Sequence, residues 1–278
     1  MKLRAGLIGD PITHSLSPQL HNAAFVHMGV AAEYELWPTD AAELADRVAS
    51  LRAPDVLGAN VTLPHKRAVM PLLDTIDPQA ALIGAINTIV REKDGTLKGC
   101  NTDAPAFLAA LQEDAHYLSQ GKAVAVLGAS GAARAAVTAL LEAQAAQIVV
   151  INRTLERAES LLADMVESTD RPPHLTTLTY DDPALPDLLQ DMSLIVNATS
   201  LGWKADETPL EASLISSSML IFDMVYRPTR LLREATERGA QTHDGLTMLV
   251  RQAALAFQHW TGQPAPLDVM YAAVRSIR

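Results

Sequence analysis

Ala123-Val-Ala-Val-Leu127 runs directly into Gly128-Ala-Ser-Gly-Ala-Ala-Arg134, and an Ala-rich stretch then continues to Ala146. The first five residues have the length and apolar character of a buried strand. The Ala-rich stretch predicts a crossover helix carrying the chain back to a parallel neighbour over Ile148–Ile151. Between them, glycine permits a tight turn and close approach of a pyrophosphate. The helix start adds unpaired N–H groups and the positive end of the dipole. Of the pattern G-x-G-x-x-G, Gly128 is kept, Ser130 stands at the second glycine and Ala133 at the third, where alanine is accepted. Ser130 narrows the space for a phosphate but brings a hydroxyl able to donate to it. Taken alone, the loop also fits an ordinary strand–helix turn.

The end of the next strand sharpens the reading. Asn152-Arg153-Thr154 begins twenty-four residues after Gly128, where an acid would hold the ribose 2′-hydroxyl of NAD. No acid is present there. Arg153, Arg157 and the Thr154 hydroxyl suit a phosphate monoester instead, so NADP is expected over NAD. Two solvated arginines are the plain alternative, but cations at a helix start oppose the dipole.

Outward from this unit, strands are expected at Thr176–Thr179, Leu194–Asn197 and Leu220–Val225, giving a doubly wound sheet. Upstream, Leu3–Gly9, Glu33–Trp37 and Val56–Thr62 read as strands. Ala41–Arg52 (capped by Asp40), Lys66–Leu73 and Pro78–Gly84 read as helices, as does the stretch from Pro18 with Ser17 as N-cap. Asn87–Val90 and Leu97–Cys100 predict a hairpin about Asp94-Gly95. Ala104–Asp114, Leu246–Trp260 and Leu267–Ile277 are also expected to be helical. The result is an α/β protein of two domains, each with a mostly parallel sheet: residues 1–103, completed by 246–278 packing back, and 104–245. The 278 residues and 49% hydrophobic content allow both cores. A net charge of −10 opposes bulk nucleic-acid or acidic-membrane binding. Cys100 is the only cysteine, so no intrachain disulfide forms. The start is a poor signal peptide and no apolar stretch is long enough to span a membrane, which gives a cytoplasmic expectation. The histidines lack metal-ligand spacing, so no metal is expected.

Three constellations stand out in the first half. Ser15 and Ser17 flank Leu16 before a helix, on one side of an extended turn, where they suit a carboxylate. Capping by Ser17 with Ser15 solvated is equally open on the residues alone. Asn60 and Thr62 share a face at a strand end, with Lys66 just beyond Pro64. Strand ends are where ligands bind in open α/β sheets, though a lone lysine is more often a surface residue. Asn87-Thr88 and Asn101-Thr102-Asp103 end further segments. Asp103 also reads as a helix cap, but with Asn60 and Asn87 it makes a set suited to several hydroxyls.

Gly9-Asp-Pro-Ile, His14-Ser-Leu-Ser-Pro18, His21-Asn22, Asn60-Val-Thr-Leu-Pro-His-Lys66, Gly84-Ala-Ile-Asn-Thr88 and Asn101-Thr-Asp103 continue in order into Gly128-Ala-Ser-Gly-Ala132, Asn152-Arg-Thr154, Asn197-Ala-Thr-Ser200, Asp223-Met-Val-Tyr226 and Gly245-Leu-Thr-Met-Leu-Val-Arg-Gln252. As an ordered set over nearly the whole chain, these resemble the shikimate dehydrogenases. The resemblance implies an N-terminal substrate domain, a Rossmann-like NADP domain and an active-site cleft between them. It implies NADPH-dependent, reversible reduction of 3-dehydroshikimate to shikimate in aromatic amino-acid biosynthesis, by a cytoplasmic monomer or homodimer. It places Ser15, Ser17 and Tyr226 at the substrate carboxylate, and Asn60, Thr62, Asn87, Asp103 and Gln252 around the ring hydroxyls. Lys66 and Asp103 become the catalytic pair. Gly128, Ala129, Ser130, Gly131 and Ala132 hold the pyrophosphate. Asn152, Arg153, Thr154 and Arg157 surround the adenosine phosphate, and Thr199, Met224 and Gly245 lie towards the ribose and nicotinamide. His65 stands at a variable position and receives no role. A quinate-oxidising relative and a non-catalytic NADP-binding sensor are the alternatives, with an adenosyl-dependent methyltransferase behind them.

Overall fold

A computed structural model describes residues 2–166 and 174–275. The chain divides into two compact units, Met1–Thr102 with Val250–Arg278, and Asp103–Leu249. The sequence reading places Asp103 and residues 246–249 on the other side of these divisions.

In the first unit β1 (Leu3–Gly9) lies between β2 (Ala32–Pro38) and β3 (Val56–Val61), parallel to both. Its last five residues are buried, as the near-continuous apolar run of an inner parallel strand requires. α1 (Ser17–His27) and α2 (Leu44–Ser50) make the crossovers. β4 (Thr75–Ile76) and α3 (Pro78–Ile83) then lead to β5 (Thr88–Arg91) and β6 (Leu97–Cys100). The strand order is β2-β1-β3-β5-β6-β4. β5 is antiparallel to both β3 and β6. Asp94 accepts from the Thr96 amide at 3.0 Å in the turn between β5 and β6, so the hairpin forms where the Asp-Gly pair predicts. The core gathers Ile8, Trp37, Val48, Val61, Ile89 and Leu97.

In the second unit α4 (Asp103–Ala109) passes into a π-helical turn at Ala110–Asp114. β7 (Ala123–Leu127), α5 (Gly131–Glu142), β8 (Gln147–Ile151), α6 (Leu155–Val166), β9 (His174–Leu178), α7 (Leu185–Gln190), β10 (Leu194–Asn197), β11 (Leu220–Asp223), α8 (Arg230–Glu237) and β12 (Gln241–Asp244) follow. The six strands form one parallel sheet, ordered β12-β11-β10-β7-β8-β9. This is the doubly wound arrangement, and its order reverses between β7 and β10. Leu127, Val149, Ile151, Ile195 and Ile221 supply its core.

α9 (Leu246–Thr261) begins in the second unit and continues in the first, and α10 (Leu267–Arg275) follows. The last two residues of the expected helix, 276 and 277, lie outside the described residues. α10 packs on α1, and the Trp260 indole donates to the Ile89 carbonyl at 3.0 Å. No helix among the described residues is long and apolar enough to cross a membrane.

Three local expectations are corrected. Residues 66–73 do not form an α-helix, and only a 3-10 turn appears at Met70–Leu72. Pro71 lacks the N–H a helix needs and restricts Met70 before it, so Lys66 sits in a turn rather than opening a helix. Ser17 is not the cap of α1. Leu16 takes that position without a side-chain bond. α2 starts at Leu44, because Asp40 accepts from the Ala42 and Glu43 amides and closes a separate turn first.

Candidate active site

Ser15, Ser17, Asn60 and Asn87 lie along a largely buried polar run in the first unit. The Ser15 hydroxyl accepts from the Ser17 amide at 3.2 Å and donates to the Ser17 hydroxyl at 3.1 Å. The two hydroxyls therefore lie together, and neither serves α1 as a cap. Ser17 lies near Tyr34, whose phenol donates to Asn60 Oδ1 at 2.8 Å. Asn60 Nδ2 donates to the Asn87 carbonyl at 3.2 Å and to Thr88 Oγ1 at 3.1 Å. Thr88 donates to Asn87 Oδ1, and Asn87 Nδ2 donates to Thr102 Oγ1 at 2.9 Å. Asn60, Asn87, Thr88 and Thr102 are all buried, so the amides are held in fixed orientations.

Tyr34, Thr88 and Thr102 were missed as site residues. Thr88 and Thr102 lie inside the quoted motifs, which was their available signal. Tyr34 gave none, since it sits on β2, a strand at the sheet edge. Asn22 fixes it there, donating to the Tyr34 carbonyl at 3.0 Å and accepting from its amide at 2.8 Å. The side-chain amide thereby completes backbone groups that an edge strand leaves open. His21, one residue earlier, is fully buried and stacks on Tyr34 with ring centroids 4.3 Å apart. Trp260 lies 5.1 Å from it on another side. Among the described residues, neither imidazole nitrogen finds a hydrogen-bond partner. Burial lowers the His21 pKa to about 3 and also pushes that of Tyr34 upward.

Thr62 and Lys66 are half-buried in the turn after β3. The Lys66 carbonyl accepts from the Ile86 amide at 2.7 Å, which ties it to the segment carrying Asn87. His65, given no role from sequence, is buried with Nε2 2.7 Å from the Thr39 carbonyl. It anchors the turn beside Lys66. Gln252 is half-buried on α9. Asp103 and Tyr226 belong to the second unit. Asp103 is buried as the first residue of α4. Tyr226, after β11, meets Trp203 edge to face at 4.9 Å, with the Arg227 guanidinium 4.8 Å from the Trp203 ring centroid.

The cofactor candidates stand at the carboxyl ends of five parallel strands. Gly128 to Ala132 follow β7, Asn152 to Arg157 follow β8, Thr199 follows β10, Met224 follows β11 and Gly245 follows β12. Gly128 has φ +102, and a Cβ there would lie 3.0 Å from Thr199 Cγ2. At Gly245 a Cβ would come within 2.1 Å of the Met224 carbonyl oxygen. Glycine is thus required at both sites for the loops to meet. Ser130 caps α5, accepting from the Ala133 amide, and donates to the Ala198 carbonyl at 3.0 Å. Its hydroxyl hydrogen is committed to the β10 loop, not held for a phosphate. Gly131 and Ala132 head the helix, where N–H groups lack intrahelical acceptors. Asn152 donates to the Thr154 carbonyl at 2.8 Å and closes its turn, and Arg153 and Arg157 are exposed. These donors, with no acid among residues 152–154, fit a dinucleotide bearing an extra phosphate. Among the described residues, no group of three or more His, Cys, Asp or Glu could hold a metal ion.

A doubly wound sheet crested by this donor set, joined to a unit that encloses a hydroxyl-and-amide run, defines a two-unit dinucleotide-dependent oxidoreductase. The chain belongs to the shikimate dehydrogenase family. Family models match residues 7–89 as the shikimate dehydrogenase substrate binding domain, 110–223 as shikimate / quinate 5-dehydrogenase, and 245–275 as the shikimate 5′-dehydrogenase C-terminal domain. A shikimate dehydrogenase (NADP(+)) of Symbiobacterium thermophilum is 42% identical over 96% of this chain and 92% of its own. The crystal structure of a Thermus thermophilus shikimate 5-dehydrogenase with NADP(H) and shikimate is 38% identical, with a TM-score of 0.87, covering 99% of this chain and 100% of that one. A Corynebacterium glutamicum quinate dehydrogenase in complex with NAD has a TM-score of 0.89 at 28% identity, covering 99% of both chains.

Proposed function

We propose that this chain catalyses the reversible NADPH-dependent reduction of 3-dehydroshikimate to shikimate, within aromatic amino-acid biosynthesis, as a cytoplasmic monomer or homodimer. The observation that carries this is the polar run from Ser15 to Thr102, with Ser15 bonded to Ser17 and an unbroken set of hydrogen bonds from Tyr34 onward. It sets paired hydroxyls for a carboxylate at one end and oriented amides for ring hydroxyls at the other. Ser15 and Ser17, with Tyr226, take the carboxylate. Asn60, Thr62, Asn87, Asp103 and Gln252 take the hydroxyls. Gly128 to Ala132 would hold the pyrophosphate, with Asn152, Arg153, Thr154 and Arg157 at the 2′-phosphate and Thr199, Met224 and Gly245 at the nicotinamide end. The cofactor, when bound, supplies the hydride. As the ketone oxygen gains charge, Lys66 donates a proton to it, and in oxidation it accepts one. Asp103 is the second member of the catalytic pair.

Initial rates with shikimate and quinate, each with NADP and NAD, test this reading. Shikimate with NADP is expected to be fastest. Quinate with NAD in the lead would favour the quinate reading, and no turnover in any arm would favour a non-catalytic sensor. Arg153→Ala is expected to weaken NADPH binding roughly 10- to 100-fold, as loss of a charged hydrogen bond does, and to spare NADH. Equal loss for both cofactors would defeat the 2′-phosphate assignment. Ser15→Ala is expected to raise the shikimate KM roughly tenfold or more on the same grounds. An unchanged KM would confine Ser15 to shaping its own turn.

A further inference from the structure

Asp223 ends β11 fully buried, with three hydrogen bonds to its carboxylate. Oδ1 accepts from Asn197 Nδ2 at 2.9 Å and from the Val225 amide at 3.0 Å, and Oδ2 accepts from Thr229 Oγ1 at 2.7 Å. Thr229 in turn caps α8, accepting from the Leu232 amide, so the carboxylate lies by the positive end of that helix dipole. Burial pushes the Asp223 pKa up to about 6 against the pull of these donors, and Asp244 on neighbouring β12 adds to the rise. The three donors that meet its two oxygens suit the carboxylate form.

The consequence reaches Thr199. An ionised carboxylate only accepts, and together with the Leu201 carbonyl, 3.0 Å from the same nitrogen, it holds Asn197 Nδ2 and leaves Asn197 Oδ1 facing the other way. That oxygen accepts from the Thr199 amide at 3.0 Å and from its hydroxyl at 2.7 Å. With its hydrogen given to Asn197, Thr199 Oγ1 is an acceptor. It takes the Leu201 amide at 3.0 Å and keeps one lone pair beside the glycine loop.

We propose that Asp223 is a positioning residue for the cofactor, anchoring Asn197 from β11 so that Thr199 is held in place as an acceptor for the nicotinamide-riboside end, whose hydroxyls and carboxamide can donate. This rests on the reading that Thr199 contacts that end of NADP. Asn197 is the link, and the Ser130 bond to the Ala198 carbonyl holds the same loop against α5.

Direct binding to the whole protein without substrate tests the relay, with NADPH followed by its fluorescence and adenosine 2′,5′-bisphosphate as the probe lacking nicotinamide. Asp223→Ala is expected to raise the NADPH Kd about tenfold, the scale of one hydrogen bond. The bisphosphate Kd should stay within about twofold on the same scale. Asp223→Asn keeps a carbonyl oxygen facing Asn197 and should bind NADPH almost normally. Should Asp223→Ala not fold, Asn197→Ala cuts the same link and should show the same split. Equal weakening of both probes, or none, overturns the relay, as does failure of Asp223→Asn to restore binding. Thr199→Val examines the underlying reading. Unchanged NADPH binding there defeats the placement of Thr199 and the relay with it. A loss there with the other variants silent defeats the relay alone.

Discussion

Lys66→Ala is expected to lower turnover by roughly 10²–10⁴, the usual contribution of a general acid or base, with the substrate Kd almost unchanged. The turn bearing Lys66 is held from both sides, by the His65 contact with Thr39 and by the Ile86 amide on the Lys66 carbonyl. The backbone should therefore keep its place when the side chain is removed. Carboxylate and hydroxyl recognition lies mainly on other residues, so binding survives. Lys66→Arg keeps the positive charge but releases its proton far less readily, and should also be slow. Single-turnover rates with substrate affinity measured separately would check this. Near-normal turnover in Lys66→Ala would reject the proton-transfer role, and a normal Lys66→Arg would reduce it to electrostatic stabilisation of the oxygen.

The second large effect concerns acid stability. His21 has a folded-state pKa of about 3 against an ordinary 6.5. Below pH 6.5 the unfolded chain binds a proton at this residue while the folded chain does not. His21 therefore costs stability progressively as pH falls from 6.5 to 3, on the order of 5 kcal/mol across the full window. Asp223 acts in the opposite sense. Its pKa, raised from 3.8 to about 6, lets the folded chain take a proton first, which returns on the order of 3 kcal/mol as pH falls through that range. His21→Phe keeps a ring against Tyr34 and Trp260 and removes only the first contribution. Its packing change is independent of pH, so the slope is the readout. Between pH 7 and pH 5 the variant should lose about 2 kcal/mol less than the wild type, measured by urea unfolding with tryptophan fluorescence. Identical slopes would sink the idea.

The local patterns were legible because one segment carried the whole signal. The glycine turn after β7, the Ala-rich α5 and the Asp-Gly hairpin are of this kind. Elements failed where a single residue outweighed a pattern, as Pro71 did over residues 66–73. They also failed where no pattern existed. β12, Gln-Thr-His-Asp, is a polar edge strand whose first two residues are exposed, so neither alternation nor an apolar run marks it. The candidate site divides in the same way. Motifs named its residues, but their connections join positions far apart in the chain. Tyr34 reaches Asn60, and Ser130 spends its hydroxyl on Ala198. Neither spacing nor propensity carries such information.

The first unit is made from two separated segments, one before and one after the second, whereas the second is one uninterrupted stretch. During synthesis from the N-terminus, all of the nucleotide-binding sheet emerges before Trp260 can reach the Ile89 carbonyl or α10 can cover α1. The nucleotide-binding unit is therefore free to fold on the ribosome. The substrate unit must wait with β1 to β6 made but unfinished until α9 and α10 have been synthesised.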